Sequence, residues 1–285
     1  MLTNIHLVNH NAILRMVETL KLKGYSESTI RTYQYELAQF LIALKNNPVE
    51  QCDAQKVRSY LLYCYDHLKL AENTLHSRLN ALKFYFEQVL HRDKMFFQDI
   101  PRPKKHSQLP KTIHASDIKK MFNVTANLKH NTMLKLCYGA GLRLSEIINI
   151  KIKDVDSKNM QVFIERGKGK KDRYVNLPHS ILEQLRAYYK IYRPQKYLFE
   201  GQQGEQYAKR SLQNVFTNSL RKAGINKQVG IHGLRHSYAT HLLEQGTDIR
   251  FIQELLGHKD LKTTLIYTDV TNHSIRGIAS PLDRL

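Results

Sequence analysis

Residues 232–241, HGLRHSYATH, place three histidines and one arginine within ten positions. His232 and His236 are four residues apart, the spacing with which a helix presents two ligands to zinc. A helical zinc site of that kind also needs an acidic general base beside the first histidine and a further ligand elsewhere. Gly233 stands beside His232, and the segment contains no acidic residue, so the sequence disfavours a metal site.

His232 and Arg235 form a different combination, because residues three apart project from one face of a helix. If a helix begins here, its free amides and its dipole favour an anion. A guanidinium matches two phosphate oxygens, and the neighbouring imidazole can move a proton. The pair therefore predicts a phosphate site, whereas His236 and His241 stand among apolar neighbours and suit core or supporting positions.

Two more cations have a comparable placement. Arg143 follows the tight turn GAG at another predicted helix start, where a salt bridge to Glu146 is the purely structural alternative. Lys168 lies at the tip of RGKGKKDR, residues 166–173, which has five basic residues among eight. Its flanking glycines would let the ammonium reach into a groove, although a solvated basic turn is the simpler interpretation.

His258 and Tyr267 complete the set. His258 follows a predicted helix end, and Tyr267 lies nine residues later in a second, short predicted helix, where apolar neighbours also favour a core position. Each residue taken alone favours a structural role. Together they supply a hydroxyl nucleophile, two guanidiniums for transition-state charge and groups that move protons, which is what transesterification at a phosphodiester requires.

The composition favours a polyanionic partner. The 285 residues have a formal net charge of +19, spread along the chain and not confined to a tail. Nucleic acid is favoured over a membrane surface, because no single basic amphipathic helix is evident and no apolar run could span a bilayer. The first residues do not have the pattern of a signal peptide, and the three cysteines form no C-x-x-C pair. These features predict reduced thiols and a cytoplasmic protein.

The elements that must position these residues fall into two parts. Residues 1–100 have apolar residues at helical spacing in four successive stretches and predict a small helical bundle. Residues 101–112 include PRPKKHSQLPK, which predicts an extended basic linker. In the second part, strand-like runs at 160–166 and 172–177 flank Lys168 and predict a β-hairpin. Helices are expected around it, which makes the protein mainly α with a small sheet.

Four motifs in this order closely resemble those of the tyrosine site-specific recombinases of the phage integrase family, particularly the Xer type. The motifs are GAGLRLSEIINI, ERGKGKKDRYVNLP, HGLRHSYATHLL and LLGHKDLKTTLIYT. The resemblance extends over nearly the whole chain, because the four-helix part is similar to the SAM-like core-binding domain of that family. It implies a catalytic domain at 113–272, a protomer-contacting tail at 273–285, and two domains that form a clamp around DNA.

The resemblance also implies a role for each candidate. Tyr267 matches the nucleophile, which forms a 3′-phosphotyrosyl bond and frees a 5′-hydroxyl. Arg143 and Arg235 match the arginines that bind the non-bridging phosphate oxygens. The remaining catalytic positions, whose members move protons or hydrogen-bond the phosphate, are Lys168, His232 and His258. His236 and His241 match no catalytic position.

The family exchanges one ester for another, so the resemblance implies no cofactor, no metal and no ATP. The implied partner is double-stranded DNA with an inverted-repeat core site, bound by a tetramer on two sites that passes through a Holliday junction. The tetramer could be a homo-oligomer or include a related recombinase, and an accessory activator is left open. Xer-like action and integration or excision of a mobile element are both compatible with these motifs.

Two alternatives remain open at this stage. A type IB topoisomerase uses the same set of residue types to relax DNA without joining two defined sites. A DNA-binding protein without catalysis would keep the basic surface and have no use for Tyr267. The products formed on DNA distinguish these possibilities.

The charge predicts that affinity for duplex DNA falls steeply with salt, because bound cations displace counterions from many phosphates. For a protein that neutralises about six phosphates or more, affinity should fall on the order of 1,000-fold between about 50 mM and about 200 mM salt. Filter binding of sheared duplex DNA across this range measures the slope. A flat plot of log affinity against log salt would contradict a basic DNA-binding surface.

Overall fold

The computed structural model describes residues 5–92, 100–102, 109–165 and 172–268. The chain divides into two compact units, Met1–Ser107 and Gln108–Leu285. Among the described residues, every helix is too short or too polar to cross a membrane. The predicted architecture, mainly helical with one small sheet, is confirmed.

The first unit is built from four helices, whose apolar faces meet in one core. They are α1 His10–Leu22, α2 Glu27–Leu44, α3 Ala54–Asp66 and α4 Glu72–Phe84, the last continued by a π-helical turn, Tyr85–Val89. Side-chain caps set two of the starts: Ser26 accepts from the Thr29 amide, and Asp53 accepts from the Lys56 amide.

A buried ion pair lies inside this bundle. The Nε atom of Arg78 on α4 donates to Oε2 of Glu36 on α2 at 2.7 Å, and both side chains are less than a tenth exposed. The same guanidinium donates to the Tyr60 hydroxyl and the Cys64 sulfur of α3. One arginine therefore connects three of the four helices.

The second unit surrounds a larger core with eight helices and a three-stranded antiparallel sheet among its described residues. The helices are α5 Ala115–Val124, α6 Leu128–Gly139, α7 Leu144–Asn149, α8 His179–Tyr192, α9 Lys209–Lys222, α10 His232–Glu244, α11 Ile249–Leu256 and α12 Lys262–Leu265. The strands, in the order β1-β2-β3, are β1 Val155–Asp156, β2 Gln161–Ile164 and β3 Arg173–Asn176.

The predicted hairpin is present, since β2 and β3 pair with Val162 opposite Val175 and Ile164 opposite Arg173. Strand β1 was not predicted, because two residues are too few to show an alternating pattern. The prediction that Tyr267 lies in a helix is wrong: α12 ends at Leu265, and Tyr267 follows it. The residues around the hairpin tip, 166–171, and the tail from 269 lie outside the described residues.

We expect Arg78→Met to destabilise the first unit by about 3–5 kcal/mol, because Glu36 would remain buried without its partner. Urea unfolding followed by circular dichroism measures the change. The matched control is Arg186→Met, which breaks an ion pair whose members are 57% and 82% exposed and should cost less than about 1 kcal/mol. Equal losses in the two variants would show that the buried pair contributes no more than a surface pair.

Candidate active site

Arg143 occupies the N-cap position of α7, directly after the turn that ends α6. Its backbone amide donates to Glu146 Oε2 at 2.9 Å, and its guanidinium donates to Oε1 of the same carboxylate at 2.6 Å. The salt bridge considered from the sequence is therefore formed. This salt bridge does not exclude a functional role for Arg143, because it fixes the guanidinium and leaves part of the side chain accessible.

Two further arginines reach the same carboxylate. Arg173, the first residue of β3, forms a bidentate pair with Glu146 through two contacts of 2.9 Å. Arg235 on α10 brings its NH1 atom to 3.8 Å from Glu146 Oε2. One buried carboxylate thus stands among three guanidiniums that come from three separate elements.

Arg235 is fixed mainly by backbone carbonyl groups. Its NH1 atom donates to the carbonyl of Gly141 at 2.6 Å, and its NH2 atom donates to the carbonyl of Leu256 at the end of α11. Gly141 has φ +59°, and a Cβ there would come within 2.5 Å of the Tyr238 ring. Glycine is therefore required at 141 for the turn whose carbonyl holds Arg235.

The charges of this cluster do not cancel. The hydrogen bond and charge of Arg173, together with Arg143, outweigh burial and lower the pKa of Glu146 to about 2. Burial and the nearby Arg143 lower the pKa of Arg235, although a guanidinium remains charged at neutral pH. Three cations with one anion leave a local excess of positive charge, which a phosphate bound beside Arg143 and Arg235 would relieve.

His232 is the first residue of α10, one turn before Arg235, as its spacing predicts. Desolvation of the ring and the charges of Arg235 and Arg143 lower its pKa. At neutral pH the imidazole is therefore uncharged and can accept a proton. Its proximity to the two arginines agrees with the phosphate interpretation of the His232–Arg235 pair.

His258 and Tyr267 meet after α11. Gly257 ends that helix with φ +61°, and His258 follows with its Nδ1 atom 2.9 Å from the Thr264 hydroxyl of α12. The His258 and Tyr267 rings stack with centroids 6.4 Å apart and planes 14° from parallel. The short segment between them thus folds back, so that residues nine apart in the chain lie side by side.

Tyr267 is only 1% exposed and packs in a small apolar cluster with Ala239, Ile252 and Leu256. Burial raises the pKa of its phenol, while the charges of Arg235 and Arg143 act in the opposite direction. The phenol therefore remains protonated at neutral pH in this structure. Tyr267 is therefore a core residue, as its apolar neighbours predict, and it also lies near both arginines, as the catalytic interpretation requires.

The structure brings together five of the six sequence-predicted site residues. Lys168, the sixth, lies outside the described residues. Three neighbours were given no site role from the sequence: Arg173, Glu146 beyond its pairing with Arg143, and His236, whose Nδ1 atom lies 3.1 Å from the Tyr267 hydroxyl. Arg173 is one of the basic residues of the hairpin motif, but spacing alone does not predict that its side chain contacts Glu146.

Two protein-family models match the chain. Residues 105–273 match the model described as "Phage integrase family", and residues 13–94 match "Phage integrase, N-terminal SAM-like domain". The two matches correspond to most of each compact unit.

Full-length relatives are also similar. The chain is 36% identical over 278 residues to "Tyrosine recombinase XerA" of Pyrococcus horikoshii, covering 95% of this chain and 93% of the relative. It is 32% identical over 288 residues to "Tyrosine recombinase XerC" of Bacillus subtilis, covering 93% and 94%. A "Putative integrase/recombinase y4qK" of Sinorhizobium fredii is 35% identical over 272 residues, covering 95% and 88%.

Solved structures share the fold. A XerH site-specific recombinase bound to a palindromic difH substrate superposes with TM-score 0.73 at 22% identity, covering 93% of this chain and 83% of the other. A lambda integrase dimer bound to a COC′ core site gives TM-score 0.75 at 16% identity, covering 95% and 80%. At these sequence identities the similarity shows a shared fold alone.

We expect Glu146→Gln to lower the free energy of unfolding at pH 7 by on the order of 3 kcal/mol, because three guanidiniums would surround an uncharged amide. Since the folded pKa of Glu146 lies near 2 and the ordinary value is 4.5, its contribution is complete above about pH 4.5. It is lost as the pH falls towards about 2. Urea unfolding between pH 7 and pH 3 measures the difference between wild type and variant.

The control for this prediction is Glu183→Gln, which affects a carboxylate that is 82% exposed and should leave the unfolding free energy nearly unchanged. A difference between wild type and Glu146→Gln that stays the same from pH 7 to pH 3 would contradict the assigned charge balance.

Proposed function

Because the chain belongs to the phage integrase family and is a tyrosine site-specific recombinase, we propose that the cluster around Glu146 is its DNA-cleaving centre. The observation that supports this most directly is the pair Arg143 and Arg235, held by Glu146 and by the Gly141 carbonyl, with Tyr267 near both. A scissile phosphate placed against the two guanidiniums would complete the charge balance of the cluster.

In this assignment Tyr267 is the nucleophile. Its oxygen attacks the scissile phosphorus, a 3′-phosphotyrosyl bond forms, and the bond from phosphorus to the 5′-oxygen breaks. Arg143 and Arg235 bind the non-bridging oxygens, whose negative charge grows in the transition state. Their attachment to Glu146 and to two backbone carbonyls means that little reorganisation is needed when the phosphate arrives.

Three residues assist proton movement and phosphate binding. His232 is uncharged at neutral pH and takes part in removing the phenolic proton. His258 hydrogen-bonds the phosphate. Lys168 supplies the proton that the leaving 5′-oxygen needs.

The complete reaction conserves ester bonds, because the 5′-hydroxyl of a partner strand attacks the phosphotyrosine and restores a phosphodiester. No ATP, metal or other cofactor takes part. We propose that a tetramer assembles on two inverted-repeat sites and exchanges strands through a Holliday junction. A lambda integrase tetramer bound to a Holliday junction shares this fold, with TM-score 0.74.

The domains divide this work. Residues 1–100 form the core-binding domain, 101–112 the linker, 113–272 the catalytic domain and 273–285 the tail that contacts a neighbouring protomer. The enzyme acts in the cytoplasm, in agreement with its three free, buried cysteines.

Tyr267→Phe tests the assignment, because it removes the attacking oxygen and leaves the basic surface unchanged. We expect wild type to form detergent-resistant adducts with sheared genomic DNA from the source organism, and Tyr267→Phe to form none while binding duplex DNA about as tightly. Sequencing the protein-bound fragments should give a shared inverted-repeat motif.

Three results would contradict the proposal in different ways. Adducts that persist in Tyr267→Phe would exclude this residue as the nucleophile. Adducts without any shared motif would favour relaxation of DNA by a topoisomerase-like activity. The absence of adducts from wild type as well would favour a DNA-binding protein without catalysis.

A further inference from the structure

His236 contacts the proposed nucleophile, although its place in the sequence suggests only a supporting role in the core. Its Nδ1 atom lies 3.1 Å from the Tyr267 hydroxyl, and the two ring centroids are 5.7 Å apart. His236 lies one turn after His232 on α10 and directly follows Arg235. The same helical turn therefore contacts both the proposed phosphate site and the proposed attacking oxygen.

Both groups of this hydrogen bond are uncharged at neutral pH. Burial lowers the pKa of His236 to about 4, and the neighbouring His232 and Arg235 contribute in the same direction. The imidazole is therefore neutral at pH 7, while burial keeps the Tyr267 phenol protonated. Nδ1 can then accept from the phenol, with the imidazole proton on Nε2; in the other neutral tautomer, Nδ1–H donates to the phenolic oxygen.

The surroundings of Tyr267 make this acceptor important for its orientation. The ring packs among Ala239, Ile252 and Leu256, which offer no side-chain acceptor, and stacks on the His258 ring. The phenolic O–H can rotate about the bond from Cζ to the oxygen without moving the ring, so packing alone does not set its direction. A directional bond from the hydroxyl to His236 removes that freedom.

We propose that His236 is a positioning residue for Tyr267, which keeps the hydroxyl on the side of the arginine pair by accepting its hydrogen bond. The proposal rests on the assignment of Tyr267 as the nucleophile. His236 acts through the orientation of Tyr267 and not as the final proton acceptor, since a strongly disfavoured imidazolium is a poor destination for the phenolic proton.

The chain contains a matched pair elsewhere on the same helix. His241 Nδ1 lies 2.9 Å from the hydroxyl of Tyr138 on α6, with ring centroids 5.9 Å apart. Burial also lowers the pKa of His241. This pair reproduces the bond without a residue of the proposed reaction, so changes at His241 measure the structural cost of losing such a contact.

The test compares four variants, chosen by where each side chain can place an acceptor. Leucine at 236 removes the acceptor, asparagine places its Oδ1 near the position of Nδ1, and glutamine places its amide near the position of Nε2 instead. The variants are His236→Leu, His236→Asn, His236→Gln and the control His241→Leu. Each is assayed for duplex affinity, thermal unfolding and the rate of covalent adduct formation at saturating sheared genomic DNA.

We expect His236→Leu and His236→Gln to slow adduct formation about 100-fold, because a misplaced nucleophile loses most of the benefit of its orientation. His236→Asn should recover to within about tenfold of wild type, and His241→Leu should stay within about twofold, on the same physical basis. Duplex affinity should be nearly the same in all variants. A wild-type rate in His236→Leu, or no difference between asparagine and glutamine, would overturn the proposal.

A measurement without DNA separates failure of this proposal from failure of the proposed function. Protein labelled with ¹³Cζ-tyrosine gives a resonance for Tyr267 that is identified by its loss in Tyr267→Phe. That resonance should shift in His236→Leu, remain near its wild-type position in His236→Asn and be unaffected in His241→Leu. An unchanged resonance in His236→Leu would show that the hydrogen bond is absent, whatever the outcome of the adduct assay.

Discussion

The arginine cluster of the second unit depends on the ion pairs that the Glu146 carboxylate forms. This carboxylate accepts from the Arg143 backbone and side chain, forms a bidentate pair with Arg173 and lies close to Arg235. These cations come from the start of α7, the start of β3 and the first turn of α10. The single negative charge of Glu146 offsets part of the repulsion among these three largely buried guanidiniums. Arg143 and Arg235, which we propose bind the phosphate, thus share a permanent counterion whose single charge does not balance theirs.

The backbone carbonyls complete this arrangement. Arg235 binds the carbonyls of Gly141 and Leu256, while Arg173 also donates to the carbonyl of Leu255. The end of α11 is therefore attached to two of the arginines, and His258 follows it by only a few residues. The position of that histidine is consequently coupled to the arginine cluster through the main chain.

Sequence reasoning recovered the parts of the molecule that depend on local patterns. The four N-terminal helices, the hairpin around Lys168 and the start of α10 follow from apolar periodicity and turn residues. The six proposed catalytic residues came from motifs, and five of them are described and lie in one unit. The contact of Arg173 with Glu146 and that of His236 with Tyr267 could not be predicted from local patterns. Each joins residues at least 27 positions apart in the sequence. A pattern of residue types does not state which of two histidines on one helix faces a given phenol.

Tyr267 follows Thr264 by three residues, and Thr264 is hydrogen-bonded to His258. Three residues of extended chain span at most about 11 Å. As long as that hydrogen bond is kept, Tyr267 is therefore tethered close to His258 of its own chain.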